Sequence, residues 1–267
     1  MTIKRAILIA AGRGKRLGPH TEEIPKCMVQ VGSRPILGWV WRALEAVGVE
    51  ELVVIRGYRG DVLESFVKTL VPKVTFVDNT EWQTNNVLLS MMCARQYLDQ
   101  PTYLTYSDII FTPAVTRAAA ASTAEIGLVI DRDFRSIYEG RTEHPLDEGE
   151  VSDLMPDGSV ARVGKKALPP AEAIGEYIGL ARLGARGVAA VANSLDQLAH
   201  RFVGKEHEPF MRAATYRNAY QTDLWQTMID GGIRIDPVLV DGQWREIDTG
   251  QDLDRARQLV ESNQDWS

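Results

Sequence analysis

The residues best suited to chemistry lie in one short loop: Gly12, Arg13, Gly14, Lys15, Arg16, Leu17 and Gly18. An apolar run, Ala6-Ile7-Leu8-Ile9-Ala10, leads into it and reads as a strand buried on both faces. Glycines at a strand end let ligand oxygens approach the main chain, and successive backbone N–H groups there form a concave anion site. Three cationic side chains within four residues add charge to those dipoles, and Lys26 follows Pro25 shortly after. The chemistry implied is polyphosphate binding. Two distant aspartates, Asp108 and Asp248, each close a short apolar segment. Singly, each is more often a cap or a surface charge. Beside a phosphate loop, the pair supplies the hard oxygens that hold Mg²⁺ against substrate phosphates.

Two commoner glycine loops do not fit. The dinucleotide fingerprint needs glycine where this chain has Leu17, and a P-loop needs Ser or Thr where it has Arg16. Charge is distributed tellingly. The net charge of 267 residues is −6, yet residues 1–35 carry seven Lys/Arg against two Glu, so the remainder carries −11. A basic loop on an acidic body favours a small anionic ligand over nucleic acid. Cys27 and Cys93 form no C-x-x-C, and His20, His144, His200 and His207 show no metal-ligand spacing. Cys27, beside Lys26, reads better as a small buried hydrophobe on a short strand than as a reactive thiol. No stretch is long and apolar enough to span a membrane. A reduced, cytoplasmic setting is expected, with the oligomeric state left open, a homo-oligomer included.

The elements that must position these groups alternate. Helical spacing of Ile36, Val40, Leu44 and Val47 follows Ser33, which can cap, and Pro35; Gly48 stands at C′. Strands are predicted at 52–55, 74–77, 103–106 and 126–130, with helices from Gly60, Val87 and Pro113 between them. Asn85 and Asn86 can each cap the helix predicted over 87–98. Residues 131–150 lose periodicity and read as a solvated loop or a substrate lid. Asp157-Gly158 predicts a hairpin, 175–180 a strand, and residues 187–201 and 209–230 two helices. Strands at 233–240 and 244–248 precede a last helix capped by Thr249. The fold class expected is α/β: a Rossmann-like three-layer αβα sandwich, with a mostly parallel mixed sheet and a small inserted hairpin or lid. One domain over 1–267 is expected, with 131–183 and 185–230 on the acceptor side.

The string A-A-G-x-G-x-R-L-G, then Pro25-Lys26, then Val31-Gly32-x-x-Pro35-Ile36-Leu37 resembles the signature of the nucleotidyltransferase (nucleoside-diphosphate-sugar pyrophosphorylase-like) superfamily. Asn85-Asn86, Ser107-Asp108-Ile109-Ile110-Phe111, Gly164-Lys165, Gly175-Glu176-Tyr177-Ile178-Gly179 and Trp244-Arg245-Glu246-Ile247-Asp248-Thr249 resemble one branch of it. That branch holds the CTP:phosphocholine and 2-aminoethylphosphonate cytidylyltransferases. The resemblance implies CTP and a small zwitterionic phosphate or phosphonate as substrates and Mg²⁺ as cofactor. It implies Asp108 and Asp248 as metal ligands, and Arg16, Lys26 and Lys165 as catalytic cations on the β- and γ-phosphates, the α-phosphate and the acceptor phosphate. The nucleotide would meet Ala10, Ala11, Gly12, Arg13, Gly14, Lys15, Arg16, Lys26, Asn85, Asn86 and Ser107.

For the acceptor, Lys165, Glu176, Tyr177 and Arg141 are the candidates, with Lys166 as an alternative to Lys165. A quaternary ammonium would want aromatic faces, offered by Tyr138, Tyr177, Tyr220 and Trp225. A primary amine would want carboxylates, offered by Asp131, Asp133, Glu139 and Glu176. Two other readings stand beside this one: a sugar-1-phosphate nucleotidyltransferase using UTP or dTTP, and a non-catalytic nucleotide sensor. Gly164-Lys165-Lys166 stands where the sugar branch has Glu-Lys-Pro, and that counts against a sugar.

Overall fold

The apolar run before the glycine loop is β1 (Arg5–Ala10), the centre of a nine-stranded sheet in the computed structural model, which describes residues 2–266. After the loop come two short strands, β2 (Gln30–Val31) and β3 (Arg34–Pro35), then α1 (Ile36–Glu45), β4 (Glu51–Arg56), α2 (Gly60–Leu70) and β5 (Val74–Asp78). The middle of the chain gives α3 (Val87–Cys93), β6 (Thr102–Tyr106), β7 (Ile109–Phe111), α4 (Pro113–Ala121), β8 (Ile126–Asp131) and α5 (Phe134–Tyr138). Then follow β9 (Glu150–Leu154), β10 (Val160–Lys165), β11 (Gly175–Leu183), α6 (Ala185–Arg201), α7 (Gln221–Asp230), β12 (Asp236–Val240), β13 (Trp244–Glu246) and α8 (Gly250–Ser262).

Strands β5, β4, β1 and β6 lie side by side and parallel. The nine-residue β11 then runs antiparallel along β6, with β8 on its far edge and β12 parallel beyond β8. The β9–β10 hairpin, turning at Asp157-Gly158 as expected, joins the start of β11. Alternation in β1 sorts the layers. Ala6, Leu8 and Ala10 face α1, α2 and α4, whereas Ile7, Ile9 and Ala11 face α3, α6 and α7. The result is a three-layer α/β/α sandwich around a mixed, mostly parallel sheet. Strand order reverses direction at β1, between β4 and β6, and ligands of open α/β sheets sit in the crevice at such a point.

A third, smaller cluster closes one end of this crevice. Leu17, Val31, Ile36 and Trp39 from the N-terminal segment pack with Ile110, Ile247 and Leu253. Antiparallel pairing of β13 with β7 sets Glu246 opposite Ile109, and Ile247 N donates to Asp108 O at 2.8 Å. Thr249 caps α8 in a reciprocal arrangement with Asp252.

Four local expectations are corrected. Ser33 does not cap α1; Pro35 holds that position, and Gly32-Ser33 is the turn between β2 and β3. Cys27 lies in a 3-10 turn, Lys26–Met28, not on a strand; it is buried, and burial pushes its thiol up to about 12. The helix predicted over 87–98 ends at Cys93 and continues as a 3-10 turn. Residues 209–220 form no α-helix, only a 3-10 turn at Tyr216–Asn218. Phe210, Ala213 and Tyr216 recur every third residue, but the rings of Phe210 and Tyr216 pack on Phe202, and Phe210 bridges to Ala213.

Gly179 is the point where β11 bulges, between its two sets of pairings with β8. Its φ is +84°, and a Cβ there would meet the Tyr106 ring at 2.3 Å. Both penalties act together, so Gly179→Ala should destabilise the fold by about 2–4 kcal/mol. Urea unfolding checks this, and a loss below about 1 kcal/mol would show that the bulge relaxes freely.

Candidate active site

The loop after β1 owes its path to Gly14. Its φ is +71°, and a Cβ there would run into the Lys26 side chain at 2.8 Å. The missing side chain lets the Lys26 stem pass beneath the loop. Lys26 is 6% exposed, and its ammonium donates to Asp108 Oδ2 at 3.1 Å and to Asp248 Oδ1. Arg16, half exposed, donates to the other oxygen of Asp248. Burial opposes ionisation of Lys26 and Asp248 alike. The neighbouring carboxylates still raise the Lys26 ammonium above its ordinary range. Lys26, the nearby His144 imidazole and Arg16 in turn hold Asp248 well below the usual carboxylate range. Lys26 and Asp248 are therefore both charged near neutral pH. The buried oxygen Asp108 Oδ1 has no hydrogen-bond partner among the described residues.

Around this cluster the crevice divides into two hollows that share Asp108, Asp248 and Arg16 as a common wall. One, of about 230 Å³, is lined by Ala11, Gly12, Gly14, Lys26, Trp82, Asn85 and Asn86, with Ser107 at the boundary. The other, of about 270 Å³, takes in Tyr106, Glu148, Glu150, Lys165, Glu176, Tyr177, Tyr220, Trp244 and Glu246. The first sets the glycine loop and Lys26 against the polar and aromatic side chains of Asn85, Asn86 and Trp82. The second is rich in acid: four glutamates and the two shared aspartates face Lys165 and Arg16.

Lys165 ends β10, lies 3.3 Å from Glu148 and stands 5.0 Å from the centre of the Tyr220 ring. Burial lowers its basicity, but Tyr220, Glu150 and Glu148 more than compensate, so it stays protonated. Glu150 accepts from Tyr106 at 3.1 Å and Thr222 at 2.9 Å, and burial pushes its carboxyl up to about 7. Glu176 is 3% exposed; Oε1 accepts from Tyr138 at 2.7 Å, while Oε2 has no partner among the described residues. Burial pushes this carboxyl up to about 8.

Other expected site residues are placed differently. Ala10 is buried in β1 beside Arg56 and lines neither hollow. Arg13 turns onto the Tyr58 ring, and Lys15 is exposed; neither lines a hollow. Asn86 caps α3 through Val87 N, and Asn85 pairs with the Asn79 amide. Tyr177 faces the acidic hollow, with its hydroxyl donating to Gln221 at 2.7 Å. Arg141 does not reach that hollow: it is buried between Asp252, at 2.6 Å, and Glu246, at 2.9 Å. It steadies the strand that carries Asp248. Tyr138 stands behind Glu176, Trp225 lies in the core under α7, and Lys166 is exposed beside a separate hollow. Asp131 is taken up by Trp244 Nε1, Gly242 N and Asp133 N, and Asp133 and Glu139 are exposed.

Residues 131–150 are a folded segment carrying α5 and a 3-10 turn, and they bring Arg141, His144 and Glu148 to the site. The sequence reading missed Glu246, Glu150 and His144. Glu246 had a signal, since strand periodicity puts it on the same face as Asp248. His144 had none: nothing local ties it to β13.

Similarity to known proteins bears on the family and the fold. Over 255 residues the chain is 27% identical to the CTP:phosphoglutamine cytidylyltransferase of Campylobacter jejuni subsp. jejuni serotype O:2, covering 93% of this chain and 97% of that protein. It is 30% identical over 161 residues to the 2-aminoethylphosphonate cytidylyltransferase of Lancefieldella rimae, covering 60% of each. The solved CTP:phosphocholine cytidylyltransferase from Streptococcus pneumoniae shares the fold, with a TM-score of 0.71 at 20% identity over 97% of this chain and 100% of that one. The MobA-like NTP transferase domain matches residues 6–156, more than half of the sequence, and the chain therefore belongs to that family of nucleotidyltransferases.

Proposed function

We propose that the chain transfers CMP from CTP to a small phosphate or phosphonate bearing a primary ammonium, with release of pyrophosphate. The observation that carries this reading is the division of one crevice into a hollow lined by the glycine loop and Lys26 and an acidic one, meeting at Arg16, Asp108 and Asp248. Two substrates entering from the two sides would place the acceptor oxygen and the α-phosphorus at that wall. The names of the similar proteins support CTP as the donor and a phosphate or phosphonate as the acceptor.

The acceptor phosphate is already largely ionised near neutral pH, its second pKa being about 6, so attack on the α-phosphorus needs no general base. Catalysis is then positioning and neutralisation of charge. Main-chain donors from Ala11 to Gly14 receive the polyphosphate. Lys26 sits nearest the α-phosphate oxygens, and Arg16 swings from Asp248 to the departing pyrophosphate. Lys165 draws the acceptor phosphate to the boundary between the hollows. The donor set at the wall fits Mg²⁺: two carboxylates of hard oxygen, one with the unpartnered buried atom Asp108 Oδ1. Bound there, Mg²⁺ supplies further neutralisation of phosphate charge.

The unpartnered oxygen of Glu176 supports a primary ammonium over a quaternary one. A primary ammonium brings N–H donors to it; a trimethylammonium brings none. Pyrophosphate release, measured with each NTP against 2-aminoethylphosphonate, phosphocholine and hexose-1-phosphates, tests the reading. CTP with 2-aminoethylphosphonate should give a kcat/KM at least about 10²-fold above CTP with phosphocholine. Release confined to hexose phosphates would overturn the reading. Lys26→Met should lower kcat by about 10²–10³-fold, comparable to losing one preorganised donor at a transition state.

The acidic hollow also has a pH signature. In the unfolded chain Glu176 and Glu150 titrate near ~4.3, against about 8 and about 7 when folded. Between those limits the folded chain keeps protons that the unfolded chain has released, so stability falls as pH rises. Glu176→Gln, which resembles the protonated form, should match the parent near pH ~5 and be the more stable above pH ~8. Urea unfolding at both pH values reads this out, and parallel behaviour would refute it.

A further inference from the structure

One buried group near the crevice has no part in this chemistry. His144 is 1% exposed, and among the described residues neither of its ring nitrogens has a hydrogen-bond partner. An imidazole deprived of water and of partners is costly to keep. Its Nδ1 nevertheless lies 3.2 Å from Asp248 Oδ2 and 3.5 Å from Glu246 Oε2. Ligand atoms around one cation at bond lengths of about 2.1 Å stand about 3.0–3.4 Å apart, for octahedral to tetrahedral angles. One ligand atom from each of the three residues can be chosen so that all lie within 4.8 Å of one another.

We propose that His144, Glu246 and Asp248 form a divalent-cation site of their own, adjoining the pair Asp108 and Asp248. Asp248 gives Oδ1 to Lys26, while Oδ2, which also accepts from Arg16, faces this site. The donor set decides the ion. Imidazole with two carboxylates suits Mn²⁺, Co²⁺ or Zn²⁺, whereas Mg²⁺ prefers oxygen and water. The local charge also leaves room. Four carboxylates (Asp108, Glu246, Asp248 and Asp252) share the three basic side chains Lys26, Arg16 and Arg141. Arg141 bonds Glu246 and Asp252 at once, which ties β13 to α8 and fixes the segment between them that carries Asp248. One buried and one half-buried carboxylate with a buried imidazole, held by such a neighbour, form a site built before the ion arrives.

The test uses the full chain with Mn²⁺ and no nucleotide, so its outcome does not depend on the proposed reaction. Pulsed EPR should detect Mn²⁺ carrying ¹⁴N modulation from an imidazole. In His144→Gln that modulation should vanish, with a loss of more than about tenfold in the affinity of the nitrogen-bearing site. Excess Mg²⁺ should displace the nitrogen-coupled ion poorly. The proposal is overturned if the parent binds no Mn²⁺, if the bound ion shows no nitrogen, or if the signal and affinity persist in His144→Gln. Should circular dichroism show that His144→Gln fails to fold, Glu246→Gln replaces it: a lost or weakened signal supports the site, and an unchanged one overturns it.

Discussion

A single buried ammonium governs the site. Lys26 is held between Asp108 and Asp248, side chains that the sequence separates by most of the protein. An ion group of this kind contributes little net stability, because desolvation consumes much of the attraction, but losing one partner leaves an uncompensated charge. Its value lies in placement. The strand that ends near Asp108, the segment that ends at Asp248 and the glycine loop over Lys26 can take only the arrangement that keeps all three charges satisfied.

Much of the surrounding architecture serves that demand. Short strands β7 and β13 pair so that both aspartates emerge at one edge of the crevice, and a main-chain bond from Ile247 to Asp108 locks them. Arg141, buried between Glu246 and Asp252, braces the same strand from behind. The acidic hollow is a stored cost. Glu150 and Glu176 are kept dry with raised pKa values, a state that a cationic ligand would relieve.

How much of this was legible in the sequence depended on distance along the chain. The β1 run, the glycine loop, the alternation of strand and helix and the Asp157-Gly158 turn are local patterns, and each is present in the structure. Asp108 and Asp248 stood out because each closes an apolar segment. Arg141 stood as an acceptor candidate in a charged segment; its partners lie in β13 and α8, beyond the reach of local pattern. His144 was hidden for the same reason. Residues 209–220 differ in the opposite sense: a helix is expected from 209, and the chain there instead packs Phe210 and Tyr216 on Phe202 before α7 begins at Gln221.

The pairing of β13 with β7 also bears on how the chain matures during synthesis. All nine strands of the large sheet precede Trp244 in the sequence, so the segment that walls the crevice is the last of these elements to be made. Until Asp248 docks, Lys26 has Asp108 alone for company, and the glycine loop rests on half of its support. Competence therefore arrives last, and a stalled or shortened nascent chain would be a well-packed body with no workable catalytic centre.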